Sequence, residues 1–221
     1  MRTRGGAALR GHSFANRHRY GRYMGPIACV RTAFVVTVLP LVVQVVAACA
    51  PVPAADVGSA NQPLLALVDL AARRVQVADV VAASKWGTDA PIEDPLREQA
   101  VLASAAAKSA QLGIDPAVTV QVFTDQIDAN KAVQYTLYAQ WSDHPGKAPA
   151  VRPDLAQVRP ILDQITDELL AQLKATQRVR ADRACTARMA DARHRAERAH
   201  ALDQVHGKAL DRALASLCRG S

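Results

Sequence analysis

The sequence predicts an all-α protein, a single-domain bundle of about six helices behind a cleavable N-terminal segment. Three observations carry this reading. Beyond residue 60 no stretch keeps up the two-residue alternation of a strand, and Ala, Leu, Gln and Arg dominate. Two segments open with aspartate followed directly by proline, Asp94-Pro95 and Asp115-Pro116, which pairs an N-cap with a first helical residue. The basic excess also lies entirely in front of the bundle. Of 27 Lys and Arg, seven arginines fall in residues 1–55, which hold no Asp or Glu; the other 166 residues carry 20 basic and 20 acidic side chains. The formal charge of +7 therefore belongs to the leader and gives no reason to expect a nucleic-acid partner. With half of its residues hydrophobic, the chain also falls outside the disordered class.

Residues 1–50 read as a signal segment, 51–62 as a flexible tether rich in Ala, Pro, Gly and Ser, and 63–221 as the helical domain. The apolar run Thr32 to Ala48 follows the arginines, contains Pro40 and Gln44, and falls short of the roughly 20 residues that a spanning helix needs. The basic stretch before it is long, and Met24 offers a start that would leave a leader of ordinary length. Val46-Ala47-Ala48-Cys49 resembles a bacterial lipobox, which would make Cys49 a lipid-bearing N-terminus held at a membrane. Cleavage after Ala50, Ala54 or Ala55 fits as well. Export, to the periplasm or the medium, is common to both routes. With Cys29 in the leader, the mature domain owns Cys185 and Cys218. An exported setting favours a bridge between them, across two antiparallel helices, over two buried thiols.

The first helix is expected from about Pro63 to Trp86. The second starts at the Asp94 cap and stops before Gly113; the third starts at the Asp115 cap and runs to about Trp141. His144 to Pro153, with three prolines and a glycine, is a loop. A fourth helix follows Asp154, and a helical pair fills Ala181 to Leu217. The basic run Arg178 to Arg198 is laced with acids and reads as a solvated face, as do His194, His200 and His206.

Polar residues stand where core residues belong. The first helix shows one face of Leu67, Ala71, Arg74, Ala78, Val81 and Lys85, with Arg74 and Lys85 three turns and about 16 Å apart. The third carries Asn130 and Gln134 in the stripe Phe123, Ile127, Leu137, Trp141; the fourth sets Arg159 among Leu155, Leu162, Thr166, Leu169 and Leu173. A single such cation usually snorkels to water. Three helices repeating the pattern need counter-anions, and the nearby acids are only Asp94 and Glu98, beside Arg97. An anionic ligand, most simply a small dicarboxylate, resolves this, because arginine meets a carboxylate with two parallel hydrogen bonds. No Ser/His/Asp or Cys/His arrangement, phosphate loop or metal-ligand spacing is visible, so neither a cofactor nor a metal is expected.

The string Arg74-x10-Lys85-Trp86, Pro91-Ile92-x-Asp94-x2-Arg97-Glu98, Asn130-x3-Gln134 resembles the all-helical chorismate mutases. Arg159 and the cysteine pair resemble their exported subclass, in which one chain holds a whole site and dimers are usual. The likeness runs from Leu64 to Cys218. It implies the rearrangement of chorismate to prephenate, with Arg74 and Arg159 clamping carboxylates and Arg97 supporting the pocket. Lys85 and Gln134 would donate to the ether oxygen, Glu98 would hold the ring hydroxyl, and Asp94 and Asn130 would complete the polar lining. Two positions depart from the pattern. Asn130 stands where a small hydroxyl residue is common, and Pro160 directly follows Arg159, so that either the helix starts at Pro160 or Arg159 is presented from a bend. Two rival readings are an isochorismate pyruvate lyase of the same fold and a non-catalytic anion-binding lipoprotein.

Overall fold

The computed structural model describes residues 57–218. The leader, the Met24 start, the lipobox at Cys49 and the cleavage points at Ala50, Ala54 and Ala55 lie outside them. Among the described residues the chain forms seven helices: α1 (Val57–Lys85), α2 (Pro95–Gln111), α3 (Pro116–Asp143), α4 (Leu155–Ala175), α5 (Gln177–Arg180), α6 (Cys185–Ala199) and α7 (Gln204–Ala213). A 3-10 turn, Pro145–Lys147, interrupts the loop after α3. The short α5 is the element beyond the six expected.

Helix ends follow the sequence signals closely. Asp94 accepts the Arg97 N–H at 3.0 Å and Asp115 accepts the Ala117 N–H at 2.8 Å, each ahead of a proline. Gly113, with φ +66°, ends α2: its N–H meets the Ala110 carbonyl and the next N–H, of buried Ile114, meets that of Ser109. A residue with a side chain is strained at that φ, so glycine is required here.

One boundary differs from expectation, and two helices run through prolines. α1 begins at Val57, inside the stretch read as tether, and runs through Pro63. α4 begins at Leu155 and passes through Pro160 without a break, which removes the alternative of a start at Pro160. Asp154 caps that helix, accepting the Ala156 N–H at 2.8 Å. Both prolines lie within two turns of a helix start, where few backbone bonds are lost.

α1 is the central helix, packed against α3, α4, α6 and α7, while α2 lies on α3 and α4. Its small buried residues Ala71, Ala72, Ala78 and Ala82 let neighbouring helices come close, and Leu64, Leu67, Val68 and Val75 fill the spaces between them. Phe123 on α3, Leu169 and Leu173 on α4, and Leu210 on α7 complete the core. At the far end of α1 and α3, Trp86 meets Tyr138 and Trp141 edge to face, and those two lie tilted at 35°, with centroids 4.9–5.9 Å apart. Cys185 and Cys218 are bonded, tying the start of α6 to the segment after α7.

Three residues read as solvated are structural instead. His206 is 12% exposed and bridges Asp79 on α1, at 2.8 Å, to Asp203, at 2.7 Å. His200 sits between Asp69 and Gln76 of α1. Arg180 is 4% exposed and donates to the Leu173 and Leu217 carbonyls, closing the end of α4. Each has a partner more than thirty residues away, which local spacing does not reveal. His194 is exposed, as expected.

Candidate active site

One cavity between α1, α2, α3 and α4 is lined by all eight residues singled out in the sequence: Arg74, Lys85, Asp94, Arg97, Glu98, Asn130, Gln134 and Arg159. Its volume of about 150 Å³ is on the scale of a small molecule and not of a polymer. Val81, Ile92, Val101, Ile127, Leu155 and Leu162 form its apolar walls.

α1 supplies two cations. Arg74 is 6% exposed, donates to the Leu162 carbonyl and the Thr166 hydroxyl, both at 3.3 Å, and keeps a buried Nε without a partner. Burial pulls its pKa down to about 10, against the opposing field of Asp163, so it stays charged at neutral pH. Lys85 closes α1, and its Nζ donates to the Pro91 and Ile92 carbonyls at 2.8 and 3.3 Å. An ammonium has three donors, so one is left for a ligand. Burial lowers the lysine pKa; Asp94 and Glu98 oppose the shift, and Arg159 adds to it.

The start of α2 supplies the acids. Asp94 is committed to its capping bond, and its own N–H lies 3.4 Å from Glu98 Oε1. Glu98 Oε2 accepts from Lys131 at 3.0 Å. Arg97, half exposed, reaches across to Asp163 on α4 at 4.0 Å. Arg159 lines the cavity from the first turns of α4, exposed and with no ion pair among the described residues. On α3, Asn130 donates to the Arg74 carbonyl at 3.4 Å, and Gln134, 2% exposed, donates through Nε2 to Asn130 Oδ1 at 2.8 Å.

Lys131 and Asp163 were not foreseen. Asp163 lies one turn beyond Arg159, and that spacing is the only sequence signal for it. Lys131 follows Asn130 directly and shows none. With both included, the lining holds five cations (Arg74, Lys85, Arg97, Lys131, Arg159) and three carboxylates (Asp94, Glu98, Asp163). The excess of two positive charges is a match for a dianion, and the walls show no nucleophile paired to a base.

Comparison with known proteins meets this site directly. The family model described as chorismate mutase type II matches residues 65–135. A protein of Mycolicibacterium smegmatis named secreted chorismate mutase is 37% identical over 157 residues, 71% of this chain and 87% of that protein. The chain belongs to the chorismate mutase family. The secreted chorismate mutase of Mycobacterium tuberculosis is 35% identical over 71% of this chain and 78% of its own length. Among solved structures, the chorismate mutase of Burkholderia phymatum superimposes with a TM-score of 0.69 at 37% identity, covering 73% of this chain and 99% of that one. The matched span of the family model contains seven of the eight lining residues named above; Arg159 lies beyond it, on α4.

Proposed function

We propose that this protein is an exported chorismate mutase, which rearranges chorismate to prephenate. One observation carries the reading: Arg74, Lys85 and Gln134, drawn from α1 and α3, converge on a cavity with two surplus positive charges and no nucleophile. The substrate has two carboxylates, an enol ether and a ring hydroxyl. Its rearrangement is intramolecular, so the protein has no atom to transfer; it has to hold the compact conformer and stabilise charge where the C–O bond breaks.

In this reading Arg74, from α1, and Arg159, from α4, bind the carboxylates, with Arg97 in support. The free donor of Lys85 and the amide NH2 of Gln134 serve the ether oxygen as negative charge grows there. Both are fixed before the reaction by their bonds to Pro91, Ile92 and Asn130, which is the economy of a preorganised site. Glu98, held between Lys131 and the Asp94 N–H, takes the ring hydroxyl.

The basic leader, the bonded cysteines and the secreted relatives support export. Anchoring through a lipid on Cys49 and assembly as a homodimer with a full site in each protomer extend the proposal. Mass spectrometry of the mature N-terminus separates lipidated Cys49 from cleavage after Ala50, Ala54 or Ala55, and sedimentation gives the oligomeric state. The test of the activity is to add chorismate to the exported protein with its disulfide intact, follow the loss of ultraviolet absorbance and identify the product. Prephenate supports the mutase; pyruvate release from isochorismate, with chorismate untouched, would replace it by the lyase.

A further inference from the structure

Gln134 poses a problem that the proposed mechanism does not itself answer. A carboxamide has a donor end and an acceptor end of nearly the same shape, and only the donor end stabilises a developing anion. Turned over, Gln134 would present oxygen to negative charge and oppose the reaction. Something has to hold its polarity.

We infer that Asn130 is the positioning residue that sets the polarity of the Gln134 amide, rather than a direct contact to the ligand. Gln134 Nε2 lies 2.8 Å from Asn130 Oδ1, and one turn of helix separates the two residues. Reversing the Gln134 amide would bring two carbonyl oxygens to that distance, a repulsive contact in a buried place. Asn130 is held in turn: its Nδ2 donates to the main-chain carbonyl of Arg74 at 3.4 Å, so its own reversal would set oxygen against oxygen there. That carbonyl belongs to the middle of α1 and cannot turn. Polarity thus passes from the backbone of α1 through Asn130 to Gln134. The acceptor end of Gln134 is buried without a partner among the described residues, and the other acceptor of Nε2, the Asn130 main-chain carbonyl, lies at 3.5 Å against 2.8 Å for Asn130 Oδ1. A small hydroxyl at position 130 could act as donor or acceptor by rotation and would give Gln134 no fixed direction.

The kinetic part of this inference rests on the mutase reading; the structural part does not, and the experiment keeps them apart. In a ¹⁵N–¹H spectrum the Gln134 side-chain amide is assigned by its loss in Gln134→Glu. In Asn130→Leu, which leaves Nε2 only the longer contact to the main-chain carbonyl of residue 130, that amide should shift and exchange faster; an unchanged signal overturns the inference. With chorismate, Asn130→Leu should lower kcat about five- to tenfold, the value of one lost hydrogen bond, with KM within about twofold. The double variant Asn130→Leu/Gln134→Leu should be no slower than Gln134→Leu alone. A raised KM with kcat intact, or losses that multiply in the double variant, would make Asn130 an independent ligand contact and overturn the inference. If Asn130→Leu does not fold, Asn130→Ala is read by the same two criteria. A wild-type protein inert to chorismate sinks the mutase reading alone, because the amide spectrum still decides the polarity of Gln134.

Discussion

Lys85 and Gln134 are the two side chains on which the proposed chemistry depends most, and they differ in how protonation can affect them. Lys85 is pinned by two loop carbonyls at the end of α1. Losing a preorganised donor to developing charge costs about 3–4 kcal/mol of barrier, so Lys85→Ala should lower kcat about 10²- to 10³-fold with the thermal midpoint little changed. Steady-state kinetics beside a melting curve checks this, and near-normal turnover would remove Lys85 from its role. Gln134 does not titrate, so its contribution to kcat should stay flat between pH 5 and 8. Gln134→Glu can donate only when protonated. That variant should be most active at low pH and lose about tenfold for each pH unit above its carboxyl pKa, a slope the wild type lacks. Both residues were visible in the sequence because a polar side chain in an apolar stripe breaks a strong period. Lys131 breaks no stripe; it became part of the site only when α2 brought Glu98 within 3.0 Å.

At the scale of the element, the ends of helices were legible and the seams between them were not. Capping is local, and an aspartate followed by proline specifies its own neighbourhood within one turn. The seam between α1 and α7 depends instead on residues more than a hundred positions apart. There His206 bonds to Asp79, which raises its pKa to about 9; burial opposes the shift, and Asp203 adds to it. A histidine whose pKa is raised by folding contributes its full stability below its unfolded value near 6.5 and loses it as pH rises through 9. With Asp79 about half and Asp203 about two-thirds exposed, screening leaves about 1–2 kcal/mol of that effect. The melting temperature should therefore fall by roughly 3–6 °C between pH 6.5 and 9.5, more than it falls in His206→Gln over the same range. Equal slopes in the two proteins would show that the strut contributes nothing.

Across the whole molecule, the family-model span ends in α3, and the C-terminal hairpin of α6 and α7 lies outside it. The disulfide closes that hairpin across a separation of 33 residues. Loop closure of that length is worth about 3–4 kcal/mol in the unfolded chain. Cys185→Ala/Cys218→Ala, or the reduced wild type, should lose about that much in urea unfolding while keeping its turnover under folding conditions, because no lining residue of the cavity lies on α6 or α7. Loss of activity ahead of unfolding would instead tie the hairpin to the site.

The sequence by itself determined the helical class, most helix starts, the cysteine pair as a favoured bridge and eight residues of one cavity. The class, the starts and Arg74, Lys85, Asn130, Gln134 and Arg159 rest on short-range periodicity, capping or a polar residue in an apolar stripe; the bridge rests on the exported setting, and Asp94, Arg97 and Glu98 as site residues on the family resemblance. Only the tertiary structure decided which acids answer the cations, that His200, His206 and Arg180 hold helices together, and that Asn130 faces Gln134 and the α1 backbone at once. Those are contacts between distant segments or between neighbours whose orientation depends on them. The sign of a polar group's role is set by its partner in space, and sequence spacing reports the partner only when both lie on one helix.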